Sequence, residues 1–156
     1  MAEFKHIVRI ANTDIKGEKH ILYGLTKIKG VSIMYANATC RIAGVDVTKN
    51  VGSLSDPEIA KLDDVVRNPL KNGMPLWMLN RRNDIESGAD LHIIGGDLEF
   101  VKDQDIKRMR KLKTYKGMRH GKGLTVRGQK TKANFRKNKG KGPGVRKKAG
   151  AKSGRT

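Results

Sequence analysis

The stretch EKHILYGLTKIKGVSIMYANATCRIAG, residues 18–44, decides the fold that the sequence predicts. Its apolar residues recur at helical spacing as far as Ile28 and again from Ile33, and the residues KGVS interrupt the periodicity. Ser32 is a suitable N-cap for a second helix over Ile33–Ala43, and Gly44 is a suitable C-terminal stop. The stretch therefore predicts a helix, a tight turn and a second helix.

This turn also has the chemistry of a phosphate site. The amides at the N-terminus of the second helix point outward, where the helix dipole favours an anion. Gly30 has no side chain to keep a ligand away from the backbone. Lys29, Gly30 and Ser32 are therefore candidate binding residues, although an ordinary helical hairpin explains the same spacing equally well.

A third helix is predicted after Ser55-Asp56-Pro57-Glu58. Ser55 and Glu58 have the spacing of a capping box, and Pro69 disfavours helix at Asn68, so the helix should end there. The acids of this helix invite a catalytic interpretation. Acids near a helix N-terminus mostly interact with the dipole, so we expect no catalysis from Asp56, Glu58, Asp63 and Asp64.

The flanking segments are less regular. Residues 4–10 alternate enough for a short strand or an extended arm, and residues 12–17 have the composition of a loop. Residues 69–90 contain several Pro and Gly breakers. Trp77 has apolar neighbours on both sides, so we expect it to pack this segment onto the helices rather than to stack on a base.

A β-hairpin is predicted next, because residues 91–94 and 98–101 flank Gly95-Gly96-Asp97. A fourth, basic helix should then start at Asp103 or Asp105.

The charge changes abruptly along the chain. Residues 1–105 carry 14 Lys and Arg against all 15 Asp and Glu, whereas residues 106–156 carry 20 Lys and Arg and no acid. A block this basic repels itself and should need an anionic partner. Nine glycines among residues 114–156 and few large apolar residues argue against a membrane helix, so nucleic acid is the expected partner.

Other functions lack support in the sequence. The single Cys40 excludes an internal disulfide and a cysteine-based zinc site, which fits a reducing, intracellular setting. His6, His20, His92 and His120 lack the spacing of a metal site or a triad. No apolar run approaches the roughly 18 residues of a membrane span. We expect a cytoplasmic protein that is not an enzyme, binds no membrane and needs no metal or cofactor.

The residue order after Tyr115 is more specific than its charge. KGMRH (residues 116–120), then GLTVRGQ (123–129) and KTK (130–132), resembles the signature of the thirteenth small-subunit ribosomal protein family, whose eukaryotic members are numbered eighteen. Lys116 stands where the family has arginine, which keeps the charge but loses the bidentate fork. The turn at Gly30 resembles the family's helix-two-turn-helix region. Asn68-Pro69, the Trp77 segment and the inserted hairpin resemble its archaeal and eukaryotic branch, which implies an archaeal-type member.

The resemblance implies a mainly α fold: a helix-two-turn-helix type helical domain with a small β-hairpin insertion and an extended basic C-terminal tail. It also implies a place in the small-subunit head, on small-subunit rRNA. The implied partners are small-subunit protein nineteen, large-subunit protein five, large-subunit rRNA across the bridge, and the peptidyl-site tRNA. The implied rRNA-binding residues are Lys29, Gly30, Ser32, Lys116, Arg119, His120, Arg127, Gln129, Lys130 and Lys132. The implied tRNA-proximal residues are Arg136, Lys137, Lys139, Lys141, Arg146, Lys147 and Lys148.

The predicted organisation has five parts: an arm or strand (residues 1–17), the helix-two-turn-helix domain (18–68), an irregular segment with the hairpin (69–102), a basic helix (103–114) and the rRNA- and tRNA-binding tail (115–156). The main alternative is a helix-two-turn-helix DNA-binding protein with a polycationic tail. The signature over residues 116–132 favours RNA.

Overall fold

The computed structural model describes residues 4–131, and its first elements form a two-stranded antiparallel hairpin. β1 (Ile7–Ile10) pairs with β2 (Thr13–Lys16), with Val8 opposite Ile15. The connecting residues Ala11-Asn12 have φ values of 46° and 59°, as a two-residue type I′ turn requires. The pleat buries one face of this hairpin, which consists of Val8, Ile10 and Ile15.

The predicted helix, turn and helix are confirmed. The first helix, α1, is short (Ile21–Leu25), and the second, α2, spans Ile33–Ala43 as expected. The Ser32 hydroxyl accepts a hydrogen bond from the Tyr35 amide at 3.4 Å, and Gly44 ends α2 in the left-handed conformation.

Gly24 explains how α1 packs despite its weak helix propensity. A Cβ at this position would lie 2.8 Å from Val51 Cγ2 and 3.0 Å from Ile15 Cγ2. Both distances are too short for carbon atoms in contact. The glycine therefore lets α1 lie directly on β2 and on the short 3-10 turn Val51–Ser53.

The third helix, α3 (Asp56–Arg67), has the predicted capping box at its start. The Ser55 amide donates to the Glu58 carboxylate at 2.8 Å, and the helix ends at Asn68, immediately before Pro69, as the sequence predicts. Together the hairpin and these three helices enclose a core whose fully buried side chains are Ile10, Ile15, Ile21, Leu25, Ile28, Thr39, Cys40, Val51, Leu62 and Val66.

The prediction of a hairpin over residues 91–101 is wrong. A helix, α4, begins at Gly95 and continues to Lys111, so it also starts earlier than predicted. Gly95 has φ 62° and Asp97 lies in the first turn, which suits a helix N-terminus as well as a hairpin turn. Half-buried positions 98, 101, 105 and 109 then recur at helical spacing. The residues before this helix contain an isolated antiparallel bridge between Arg81 and Leu91, which closes the loop between them.

Two further predictions need correction. Trp77 does not pack the irregular segment onto the helices: its side chain is 68% exposed, and Met74 and Leu79 are the buried residues there. The tail is not extended from residue 115, because a fifth helix, α5, spans Tyr115–Gly121. None of the helices within residues 4–131 is long and apolar enough to cross a membrane. The chain forms two compact units, Met1–Gln104 and Asp105–Thr156.

We expect Gly17→Ala to destabilise the first unit. Gly17 is buried, and a Cβ there would lie 2.0 Å from the backbone oxygen of Lys5 and 3.0 Å from Gly52 Cα. Because backbone must move to relieve this overlap, the free energy of unfolding should fall by about 1–3 kcal/mol in urea titrations followed by circular dichroism.

Gly96→Ala is the matched control. Gly96 lies in α4, and the space that an alanine methyl group would occupy there is open among the described residues. The substitution should leave stability unchanged or raise it by up to about 1 kcal/mol, since alanine is the better helix former. Equal effects of the two substitutions would contradict this packing explanation.

Candidate nucleic-acid interface

The second unit places the signature residues on a tight junction between α4 and α5. Lys113 has a positive φ of 52°, which reverses the chain, and Thr114 is the N-cap of α5. The Thr114 hydroxyl donates to the carbonyl of Met109 at 3.0 Å and accepts from the amide of Gly117 at 3.1 Å. A Cβ on Gly117 would lie 2.3 Å from that Met109 oxygen, so a glycine is needed where the two helices meet.

Arg119, in α5, contacts the segment that follows this helix. Its Nε donates to the carbonyl of Thr125 at 2.8 Å, and a terminal nitrogen lies 3.4 Å from the Thr125 hydroxyl. The guanidinium carbon is 5.9 Å from the centre of the Tyr115 ring, within cation–π range. The Arg119 carbonyl also accepts from the amide of Leu124 at 2.9 Å.

Gln129 closes the same loop from its other end. The Thr125 hydroxyl donates to the Gln129 carbonyl at 3.3 Å, and the Gln129 side-chain oxygen accepts from the Arg127 amide at 3.2 Å. Gly123 and Gly128 have positive φ, 66° and 74°, at the two bends. Residues 122–130, which we call the signature loop, therefore have a defined shape.

The predicted residues divide into two groups by exposure. Lys116, His120, Arg127 and Lys130 are exposed. Arg119 is half-buried, and Gln129 is exposed but hydrogen-bonded within the loop. The other predicted positions lie outside the described residues: Lys132, Arg136, Lys137, Lys139, Lys141, Arg146, Lys147 and Lys148.

In the first unit, the turn between α1 and α2 gives Gly30 a different role from the one expected. Gly30 has φ 98°, and a Cβ there would lie 2.6 Å from the carbonyl oxygen of Ile93. The space left by the missing side chain is therefore filled by the protein's own backbone. Packing alone is enough to explain this glycine, and its contact with RNA stays a prediction.

Lys29 and Ser32 flank this glycine and are both exposed. The Lys29 carbonyl accepts from the amide of Gly95 at 2.8 Å, and its ammonium group pairs with Glu99 of α4. That hydrogen-bonded ion pair lowers the pKa of the Glu99 carboxyl. The Ser32 hydroxyl oxygen accepts from the Tyr35 amide to cap α2, and its own O–H can still donate to an anion beside the backbone amides.

A cleft of about 470 Å³ lies beside this turn. Three cations line it, Lys27 and Lys29 from the connection between α1 and α2 and Arg67 from the end of α3, together with Gly95, Gly96 and Asp97 at the start of α4. Each cation is held: Lys27 donates to the Asp14 carbonyl at 2.8 Å, and Arg67 donates to Asp63 at 2.8 Å. The cleft is basic, but Asp97 lowers its net charge.

His92 attaches the irregular segment to α2. Its ring stacks on Tyr35 with centroids 3.9 Å apart and planes 6° from parallel. His92 Nδ1 accepts from the Asn80 amide at 3.3 Å, whereas its buried Nε2 has no hydrogen-bond partner within residues 4–131. Burial lowers the pKa of His92 to about 4, and the nearby Gly30 backbone offsets only part of this shift. The ring is therefore neutral at pH 7.

The acids that invited a catalytic interpretation are engaged in structural contacts. Lys5 pairs with Asp56, and Arg67 with Asp63. Glu58 accepts from Lys49 at 2.9 Å and from the Ser55 amide, which lowers the pKa of its carboxyl to about 2. No group of three or more potential metal-ligating acids, histidines or cysteines occurs in the described part of the chain.

Reasoning from sequence missed the roles of Thr114, Thr125, Asn80 and His92. Thr114 had a local signal, since threonine is one of the residues favoured at a helix N-cap. The Asn80 side chain pairs with both backbone groups of Ile93, at 2.7 and 2.9 Å. Contacts of that kind join residues far apart in sequence, and no local pattern announces them.

The first unit is helical and nearly neutral, and no acid follows Asp105 in the second. These features define a class of small, helical, strongly basic structural proteins. Comparison with known proteins is more specific. The family described as ribosomal protein S13/S18 matches residues 9–137, and the chain belongs to this family.

Several archaeal relatives are similar over almost their whole length. The small ribosomal subunit protein uS13 of Methanothermobacter thermautotrophicus is 51% identical over 146 residues, covering 94% of this chain and 97% of the relative. The uS13 protein of Aeropyrum pernix is 47% identical, covering 93% and 95%. The uS13 protein of Nanoarchaeum equitans is 46% identical, covering 92% and 93%. The chain is thus an archaeal-type structural component of the small ribosomal subunit and not an enzyme.

The low pKa of His92 gives a pH dependence whose sign can be worked out. The pKa is about 4 in the folded chain against 6.5 for the free group, so the unfolded chain takes up the proton first as pH falls. The contribution of His92 to stability is complete above about pH 6.5 and is lost between pH 6.5 and 4.

His92→Phe keeps a ring to stack on Tyr35 but cannot titrate. We expect the free energy of unfolding of the wild-type chain to fall more steeply than that of the variant between pH 6.5 and 4, in urea titrations at constant ionic strength. Parallel pH profiles would rule out a buried neutral histidine.

Proposed function

We propose that the chain binds small-subunit rRNA in the head of the small ribosomal subunit, with α5 and the signature loop as its main contact. The observation that carries this proposal is a set of exposed cations, with Lys116 on α5 and Arg127 and Lys130 on a loop of defined shape. Phosphates neutralised by such cations release counterions, which favours binding. His120 is exposed on α5 and offers a ring that can stack on a base or hydrogen-bond to RNA.

The turn of the first unit supplies a second, smaller contact. Lys29 and the amides at the start of α2 face outward, and the adjoining basic cleft has room for a phosphate. Gly30 contributes by allowing the turn to pack on Ile93, and its own contact with the rRNA stays a prediction.

The remaining assignments follow from family membership and are proposals for this chain. The cations from Arg136 to Lys148 reach the peptidyl-site tRNA. The protein pairs with small-subunit protein nineteen and contributes to the bridges with large-subunit protein five and large-subunit rRNA. Its place of action is the cytoplasmic ribosome.

Binding to small-subunit rRNA transcribed in vitro tests the main contact. We expect the logarithm of the affinity to fall linearly with the logarithm of the salt concentration, and Lys116→Ala to reduce that slope by about 0.7–0.9. Lys61→Ala is the matched control, since Lys61 is an exposed lysine of α3 in the first unit. It should leave slope and affinity close to wild type.

Cosedimentation decides between RNA and DNA. The purified chain should pellet with small ribosomal subunits in moderate salt, and a duplex DNA of equal phosphate concentration should compete poorly. Efficient competition by DNA would favour the alternative of a DNA-binding protein with a polycationic tail.

A further inference from the structure

We propose that Arg119, Thr125 and Gln129 are positioning residues, which hold the signature loop in its RNA-binding shape and do not themselves contact the RNA. The proposal deepens the function proposed above and rests on it. It reassigns Arg119 and Gln129, which the family resemblance placed among the rRNA-facing residues.

The surroundings of Arg119 indicate that its side chain binds other residues of the protein. It is half-buried, whereas Lys116 and His120 on the same helix are exposed. Its guanidinium is directed to Thr125 by two hydrogen bonds, of 2.8 and 3.4 Å, and lies over the Tyr115 ring. These contacts use two of the five guanidinium N–H donors, including Nε–H, so the side-on fork formed by Nε and the terminal nitrogen already faces Thr125 and not a phosphate.

Thr125 hydrogen-bonds both to Arg119 and to the other end of the loop. Its carbonyl and hydroxyl accept from Arg119, and the same hydroxyl donates to the Gln129 carbonyl at 3.3 Å. Gln129 in turn accepts from the Arg127 amide. Arg119, Thr125 and Gln129 thus form one connected set of side-chain and backbone hydrogen bonds that fixes the backbone on both sides of Arg127.

The composition of the loop explains why such a set is needed. The loop contains the like charges Lys122, Arg127 and Lys130, which repel one another, and two glycines that allow many backbone conformations. Ordering a free backbone costs conformational entropy, and a loop ordered beforehand avoids that cost when it binds.

Substitutions that preserve the positive charge can distinguish a positioning role from a direct contact with RNA. Arg119→Lys retains the cation but not the geometry that reaches both Thr125 atoms and stacks on Tyr115. Arg127→Lys is the same chemical change at an exposed position of the same loop. We expect Arg119→Lys to weaken binding to transcribed small-subunit rRNA roughly tenfold, and Arg127→Lys less than about threefold.

Two variants of Thr125 make the same distinction between positioning and direct contact without changing any charge. Thr125→Val removes the hydroxyl, whereas Thr125→Ser keeps it. We expect the valine variant to bind about three- to tenfold more weakly, with the salt slope unchanged, and the serine variant to bind like the wild type. Lys116→Ala, by contrast, should reduce the salt slope.

Hydrogen exchange of the free chain reports on the loop directly. In Thr125→Val, the amides of Leu124 and Arg127 should exchange faster, while the amides within α5 keep their wild-type rates. A merely structural role in the stability of the unit would accelerate exchange in α5 as well, and would overturn the proposal.

Two binding results would also overturn it: equal losses for Arg119→Lys and Arg127→Lys, or an unchanged affinity for Thr125→Val. Both are distinguishable from failure of the proposed function itself. In that case the wild-type chain would bind transcribed rRNA no better than DNA of the same length, and the positioning role would fall with it.

Discussion

The contact between Gly30 and the backbone of Ile93 is the constraint on which much of the first unit depends. A Cβ at Gly30 would lie 2.6 Å from the Ile93 carbonyl oxygen, so this close approach requires a residue without a side chain. The approach brings the Lys29 carbonyl to the amide of Gly95, where α4 begins. It also brings His92 onto Tyr35, so a single glycine fixes where the irregular segment lies on the helices.

The two units differ in the partners that their charged side chains have. In the first unit, acids and bases are nearly equal in number and meet as pairs, such as Lys49 with Glu58 and Arg67 with Asp63. In the second unit no acid follows Asp105, so its later cations have only neutral acceptors within that part of the chain. Arg119 illustrates the consequence, since its partners are a carbonyl, a hydroxyl and an aromatic ring. Neutral acceptors orient a cation without cancelling its charge, which leaves the surface attractive to a polyanion.

The elements that sequence predicted well are those with strong local chemistry. Ser32 and Gly44 bound α2, and Ser55, Glu58 and Pro69 bound α3, because caps and breakers act within a few residues. The errors occurred where one local pattern suits two structures. Gly95-Gly96-Asp97 fits a hairpin turn and a helix start equally, and the hydrogen bond from the Gly95 amide to the carbonyl of Lys29, 66 positions earlier, is a contact that no local pattern shows. Trp77 was also misplaced, because apolar neighbours in sequence do not show which residue of a segment is buried, and here the buried residues are Met74 and Leu79.

The sequence by itself determined the helical class, the change of charge at Asp105, the signature that carries the family resemblance, and the residues from which an RNA-binding surface can be made. These are properties of composition, spacing and order, which need no knowledge of distant contacts. The tertiary structure decided which of those residues face outward and which hold the others in place. Gly30 and Arg119 are predicted rRNA contacts, and the structure adds that Gly30 lies against the Ile93 backbone and that Arg119 donates to Thr125. Side-chain direction depends on packing between segments, and that is settled only when the chain has folded.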